Sequence, residues 1–204
     1  MARNRLALAC LAATAIIGGC QDDPAAPVDA ALVMPLDVGN TWHYAVRESE
    51  PGAPITNLSR TITGHRQITC DGRTITVAVE VPASAAGKIA GDTGRLLRNE
   101  DDGLYTYGGV DGEGAIQVTG RALVAPLAGR PGDRFDCGNG RFLVCVAADS
   151  LVLTDFGQVV ADVYELSLDE GTVRVPDIYV VPGVGLTRYW NRQWTAWLVG
   201  YDFP

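Results

Sequence analysis

Turn-forming residues interrupt this chain too often for a long helix to fit between them. Its 204 residues include 24 Gly and 11 Pro. The apolar residues between those breaks alternate with others rather than recurring every three or four positions, which is the pattern of strands. Val77, Val79 and Val81 against Thr76, Ala78 and Glu80 are the sharpest case. Asp71-Gly72 stands between two such runs, Asn57 to Thr69 and Thr74 to Val81, and predicts a tight hairpin. Further strands are expected at Trp42–Val46, Arg95–Arg98, Leu104–Tyr107, Ala115–Val124, Arg134–Asp136, Arg141–Ala147, Leu151–Thr154, Val159–Leu168, Thr172–Val181, Gly185–Trp190 and Trp194–Tyr201. A short helical turn is expected only within Pro82–Ala90. The expected fold class is therefore all-β, an antiparallel meander. Such a sheet must hide one face, either by curving strongly into a half-barrel or barrel or by packing on a second sheet.

The N-terminus is built differently. Arg3 and Arg5 precede an uncharged run from Leu6 to Ile17, then Gly18, Gly19 and Cys20. A basic head, a short apolar run and small residues before a cut describe a secretory signal. The run falls short of the roughly 20 residues that span a bilayer. Ile17-Gly18-Gly19-Cys20 resembles the lipobox of bacterial lipoprotein precursors. The resemblance implies cleavage before Cys20 and acylation of that residue, and two or more acyl chains hold firmly to a membrane. Gln21-Asp22-Asp23-Pro24-Ala25-Ala26-Pro27 is small, polar and Pro-rich, as a tether should be. Residue 21 is Gln; an Asp there retains lipoproteins of enteric bacteria in the inner membrane, so the resemblance implies the outer membrane. The expected organisation is a signal peptide over 1–19, a lipidated Cys and flexible linker over 20–33, and a single β-rich domain over 34–204.

Without the signal, 14 basic residues face 24 acidic ones, a net charge of −10. That balance argues against a nucleic-acid or anionic-lipid surface, which needs basic patches. Cys70, Cys137 and Cys145 remain beside Cys20, an odd number, so one disulfide among them at most is expected. A tight turn at Gly138-Asn139-Gly140-Arg141 would put Cys137 and Cys145 on opposite faces, which leaves a Cys70 pairing equally open. With no CxxC and only His43 and His65, no metal site or cofactor is expected.

Two segments carry a second resemblance. Pro35-Leu36-Asp37-Val38-Gly39-Asn40-Thr41-Trp42-His43-Tyr44 resembles the opening "PLxVGNxWxY" of many uncharacterised bacterial lipoproteins, and Pro182-Gly183-Val184-Gly185-Leu186 resembles their late "PGVGLV" turn. Such proteins are similar to the half-barrel of periplasmic lipoprotein carriers, whose concave face holds acyl chains. The residues themselves read as structural punctuation: glycines for turns, and Trp42 and Tyr44 sharing one strand face. A weak internal echo is also present. Pro35-Leu36 leads to Gly39-Asn40-Thr41-Trp42, and Pro126-Leu127 leads to Gly132-Asp133-Arg134-Phe135. Two related half-sheets or a chance match would both produce it.

Catalytic signatures are missing. There is no G-x-S-x-G elbow, and Asp155-Phe156-Gly157 reads as a hairpin turn. His43 reads as a strand residue on the solvated face. The acidic runs Glu100-Asp101-Asp102 and Asp111-Gly112-Glu113 match no calcium-loop pattern and read as turns. The aromatics of the last predicted hairpin, Tyr189, Trp190, Trp194 and Trp197, lie among Arg188, Arg192 and Gln193. Trp194 and Trp197 are an odd number apart, so they should point to opposite faces. Trp190, Trp194 and Trp197 are the candidate ligand or partner contacts; burial on both sides of the sheet is the alternative. The functional expectation is a non-catalytic envelope module that binds a partner protein or cell-wall component. The alternatives are a carrier of a hydrophobic ligand in the concave face, and a hydrolase with His43 or His65 beside an acid and a hydroxyl in a cleft.

Overall fold

A computed structural model describes residues 32–50, 52–84, 93–154, 157–168, 175–190 and 194–204. The side chains of residues 84, 168, 175–177 and 190 fall outside that description, as do Cys20, Asp155-Phe156 and residues 85–92. Twelve strands run β1 Thr41–Glu48, β2 Ile55–Cys70, β3 Arg73–Ser84, β4 Gly94–Glu100, β5 Gly103–Val110, β6 Ile116–Pro126, β7 Arg134–Gly138, β8 Arg141–Thr154, β9 Gly157–Leu168, β10 Val175–Val181, β11 Gly185–Trp190 and β12 Trp194–Asp202. All are antiparallel in one sheet, ordered β6-β5-β4-β3-β2-β1-β12-β11-β10-β9-β8-β7. The first strand thus pairs with the last, and the edge strands β6 and β7 approach each other. The sheet is a nearly closed barrel, and there is no helix among the described residues.

Alternation decides what fills it. Trp42, Tyr44 and Val46 point inward from β1 and Trp194, Ala196 and Leu198 from β12, all buried. They meet Leu58, Ile62, Leu97, Leu104, Leu143 and Tyr164 from strands around the barrel. Each such side chain contributes about 1.5–3 kcal/mol relative to exposure. The concave face is occupied by the protein's own side chains. One end is closed by the chain before β1: Val33 and Met34 are buried, and the Leu32 carbonyl accepts from Gly183 N–H at 2.7 Å.

A β-bulge gives the sheet a second core. Thr63 lies unpaired between Ile62↔Glu80 and Gly64↔Val79. Glu80 and Val79 are neighbours on β3 and face opposite ways, so the even residues of β2 change sides at the bulge. Ile62 packs in the barrel, whereas Ile68 and Cys70 pack with Val77, Leu96, Tyr105 and Leu123 in a separate cluster.

The two echoed segments adopt one geometry. Gly39 and Gly132 have φ of +100° and +96°, a region that disfavours side chains. Gly39 N–H donates to Ile62 O and Ile62 N–H to Asn40 O; likewise Gly132 N–H donates to Cys145 O and Cys145 N–H to Asp133 O. Asn40 N–H returns to Asp37 O as Asp133 N–H does to Arg130 O. Each opens a six-stranded meander, β1–β6 or β7–β12. The openings of the two half-sheets therefore share one local geometry.

Three expectations need correction. Arg141–Ala147 and Leu151–Thr154 are one strand, β8, because two irregularities and a positive φ of 48° at Asp149 absorb the polar break without ending the pairing with β9. Pro82 continues β3 rather than opening a helical turn. Cys137 and Cys145 do not lie on opposite faces: both pack against the barrel core, because the ladder slips between Asp136 and Gly138 and a bulge resets the alternation at Cys137. Cys70, Cys137 and Cys145 are all free thiols, with no disulfide among them. Burial pushes the Cys137 thiol up to about 11.

Candidate functional site

The barrel interior holds a charged cluster that sequence reasoning did not find. Glu80 is fully buried and receives Arg60 Nη1 at 2.7 Å, Arg95 Nη2 at 2.6 Å and Arg95 Nε at 2.5 Å. Arg60 Nε also donates to Tyr189 Oη at 3.1 Å. Burial opposes ionisation of Glu80, but the two guanidiniums outweigh it and hold the carboxyl down at about 2. Every Glu80 contact is internal, so this cluster organises the barrel. Only the pairing of strands could reveal it, since Glu80 sits in a Val-rich alternation as an outward-looking polar residue would.

The opening segment Pro35–Tyr44 and the late turn Pro182–Leu186 bind each other. Trp42 Nε1 donates to Val184 O at 2.7 Å and Tyr44 Oη to Leu186 O at 3.0 Å, so the "GNxWxY" strand is bolted to the "PGVGL" turn. Both motifs are structural, as their residue types suggested.

The acidic runs are likewise occupied. Glu100 accepts from Arg121 Nη2 at 2.8 Å and from the Tyr107 hydroxyl, and Arg121 stacks on the Tyr105 ring at 3.6 Å. Glu100, Tyr107 and Arg121 line an open cleft of about 810 Å³ with Cys70, Asp71 and Arg98. Asp111 Oδ1 accepts from Glu113 N–H and Ala115 N–H, closing its own turn. No group of three metal-ligating side chains occurs among the described residues.

The candidate aromatics separate. Trp194 is buried in the barrel, edge-on to Tyr189 at 5.4 Å. Trp197 faces the other way and is half-buried on the outside. Trp190 ends β11, and its side chain falls outside the described residues. Sheet register places Trp197 in a row with partners the sequence did not group: Tyr179 opposes Arg188, and Arg188 opposes Trp197. The Arg188 guanidinium lies 5.4 Å from the Tyr179 ring centre, and that of Arg47 5.9 Å from the Trp197 ring centre. Rings holding guanidiniums by cation–π attraction form the floor of an open cleft of about 630 Å³. Glu48, Glu50 and the exposed Leu153 stand at its rim.

Elsewhere on the outer face, His43 lies between a hydroxyl and an acid. Its Nδ1 is 2.9 Å from Ser59 Oγ, and its Nε2 is 2.9 Å from Asp202 Oδ2. The side chains of His43 and Asp202 are 40% and 79% exposed, on an open sheet face. Neither described cleft includes them.

These features define a twelve-stranded antiparallel barrel with a filled interior and its accessible chemistry on the outside. No protein-family model matches the chain, and no curated protein matches it. Among solved structures, a presumed exported protein with a YmcC-like fold from Bacteroides fragilis is similar over 85% of this chain and 100% of its own, with 16% identity and a TM-score of 0.46. A presumed lipoprotein from Parabacteroides distasonis is similar over the same shares, 85% and 100%, with 11% identity and a TM-score of 0.44. At these values nothing is carried from either protein to this chain.

Proposed function

We propose that this chain is a lipid-anchored protein of the cell envelope, tethered to the outer membrane through Cys20, whose barrel binds an envelope partner through the cleft at Trp197. The observation that carries the binding reading is the row Tyr179–Arg188–Trp197 with Arg47, in which flat rings and guanidiniums face outward in one groove. Such a floor gives large contact area at low entropy cost and directional donors for an acidic or carbonyl-bearing partner. The side chains that fill the concave face make this a better reading than carriage of a hydrophobic ligand there. The tether rests on the lipobox resemblance of Ile17-Gly18-Gly19-Cys20.

Palmitate labelling in a bacterial host, followed by rebinding of a soluble form to isolated envelopes, tests both parts. Wild type incorporates labelled palmitate and Cys20→Ser does not. The Cys20→Ser protein is retained by envelopes, and adding Trp197→Ala with Arg188→Ala lowers that retention about tenfold, the equivalent of 1.4 kcal/mol. Label in Cys20→Ser would overturn the tether, and unchanged retention would overturn the cleft.

A further inference from the structure

We infer that Ser59 is an activated nucleophile that accepts acyl groups from carboxylic esters, with His43 as its general base and Asp202 as the group that orients the base. The three residues stand on adjacent strands, β2, β1 and β12. Ser59 is the direct cross-strand partner of His43, and Asp202 faces Thr41, two residues along β1 on the same side. Both imidazole nitrogens are engaged at 2.9 Å. An ionised carboxylate can only accept, so a neutral His43 carries its hydrogen on Nε2 and gives it to Asp202. Nδ1 is then an acceptor, and the Ser59 hydroxyl is its donor. That is the polarity of a nucleophile, base and acid in series, which is recognised by geometry and not by position in the chain.

The chemistry balances without a further reactant except water. As Ser59 Oγ bonds to the ester carbonyl carbon, its proton passes to His43 Nδ1. The bond from that carbon to the alkoxy oxygen breaks, and the alcohol leaves with the proton from His43. Water then attacks the acyl-serine and loses a proton to His43. The acyl–Oγ bond breaks, that proton returns to Ser59, and the acid is released. The open face suits a short acyl group carried on a molecule too large to enter a cleft. Arg47 lies four residues from His43 on the same side of β1, about 13 Å away at strand rise, so a partner seated in the Trp197 cleft passes close to Ser59. Covalent capture of Ser59 is the property to measure, because it reports the first of these steps by itself.

The full-length protein in detergent is treated with a fluorophosphonate probe and mapped by peptide mass spectrometry. Capture joins Ser59 Oγ to phosphorus and expels fluoride, with the proton taken by His43. Ser59 is the expected labelled residue. His43→Ala slows labelling about a hundredfold. Asp202→Asn, which removes a group that orients the base without touching the probe, slows it less and displaces its pH profile. Circular dichroism reports whether each variant is folded. If His43→Ala is not, Asp202→Asn at the exposed position carries the comparison. Labelling is read on the purified protein with no envelope partner present, so this inference and the binding cleft stand or fall separately. An unlabelled Ser59, or labelling at the same rate without both His43 and Asp202, would mean a surface hydrogen-bond ladder and overturn the proposal.

Discussion

At the scale of single residues, the barrel depends on charges that its sequence pattern disguises. Glu80 has no exposed surface, and its side chain is 2.7 Å from Arg60 and 2.5 Å from Arg95. Removing the carboxylate strands two guanidiniums in the interior, and breaking a buried pair in this way costs about 3–5 kcal/mol. Glu80→Ala should therefore lower the urea midpoint sharply, and a change below about 1 kcal/mol would show that water screens the cluster. The same scale separates Trp194 from Trp197. Odd spacing in one strand predicts their opposite directions, and the structure places one in the core and the other in the outer cleft. What spacing could not supply is their neighbours. Tyr179, Arg188 and Arg47 join Trp197 only because β10, β11, β12 and β1 lie side by side.

At the scale of elements, local signals were strong wherever turn chemistry was local. Asp71 and Gly72 have φ of +52° and +74° between Cys70 and Arg73, which are paired as a two-residue hairpin requires. A Cβ at Gly72 would meet nothing within 4 Å, so the effect of Gly72→Val is a backbone effect alone. It should cost about 1–2 kcal/mol, read as a lower urea midpoint with an unchanged slope; no change would mean that the turn relaxes to another type. Bulges were illegible by comparison. Thr63, Cys137 and the irregular stretch of β8 are defined by what a partner strand leaves unpaired, so the sequence reads β8 as two strands and puts Cys137 on the wrong face.

At the scale of the whole molecule, β1 and β12 form the seam between two six-stranded meanders, and Thr41 pairs with Asp202. Contacts so remote in sequence close late and make folding slow. Stability of the closed barrel should also depend on acid in a defined window. Glu80 ionises at about 2 in the fold against an ordinary value of 4.5. A depressed carboxyl stabilises the fold fully above the unfolded value, and this contribution fades as pH falls from 4.5 towards 2. It amounts to about 3 kcal/mol. Urea titrations of wild type and Glu80→Gln between those limits should converge as pH falls; parallel curves would place the acid sensitivity elsewhere.

The sequence by itself determined the class of fold, most of its strands and the tight turns, because alternation and Asx-Gly chemistry act within a few residues. It also marked the two segments that fasten the barrel, Trp42 with Tyr44 and the turn at Val184 and Leu186. Only the tertiary structure decided which outward residues share a surface. Ser59, His43 and Asp202 become neighbours when β2, β1 and β12 pair, and Tyr179 comes beneath Arg188 when β10 meets β11. Glu80 acquires two arginines by the same means. The physical reason is common to all three cases: cross-strand proximity is set by register, and register is a property of the closed sheet rather than of any one strand.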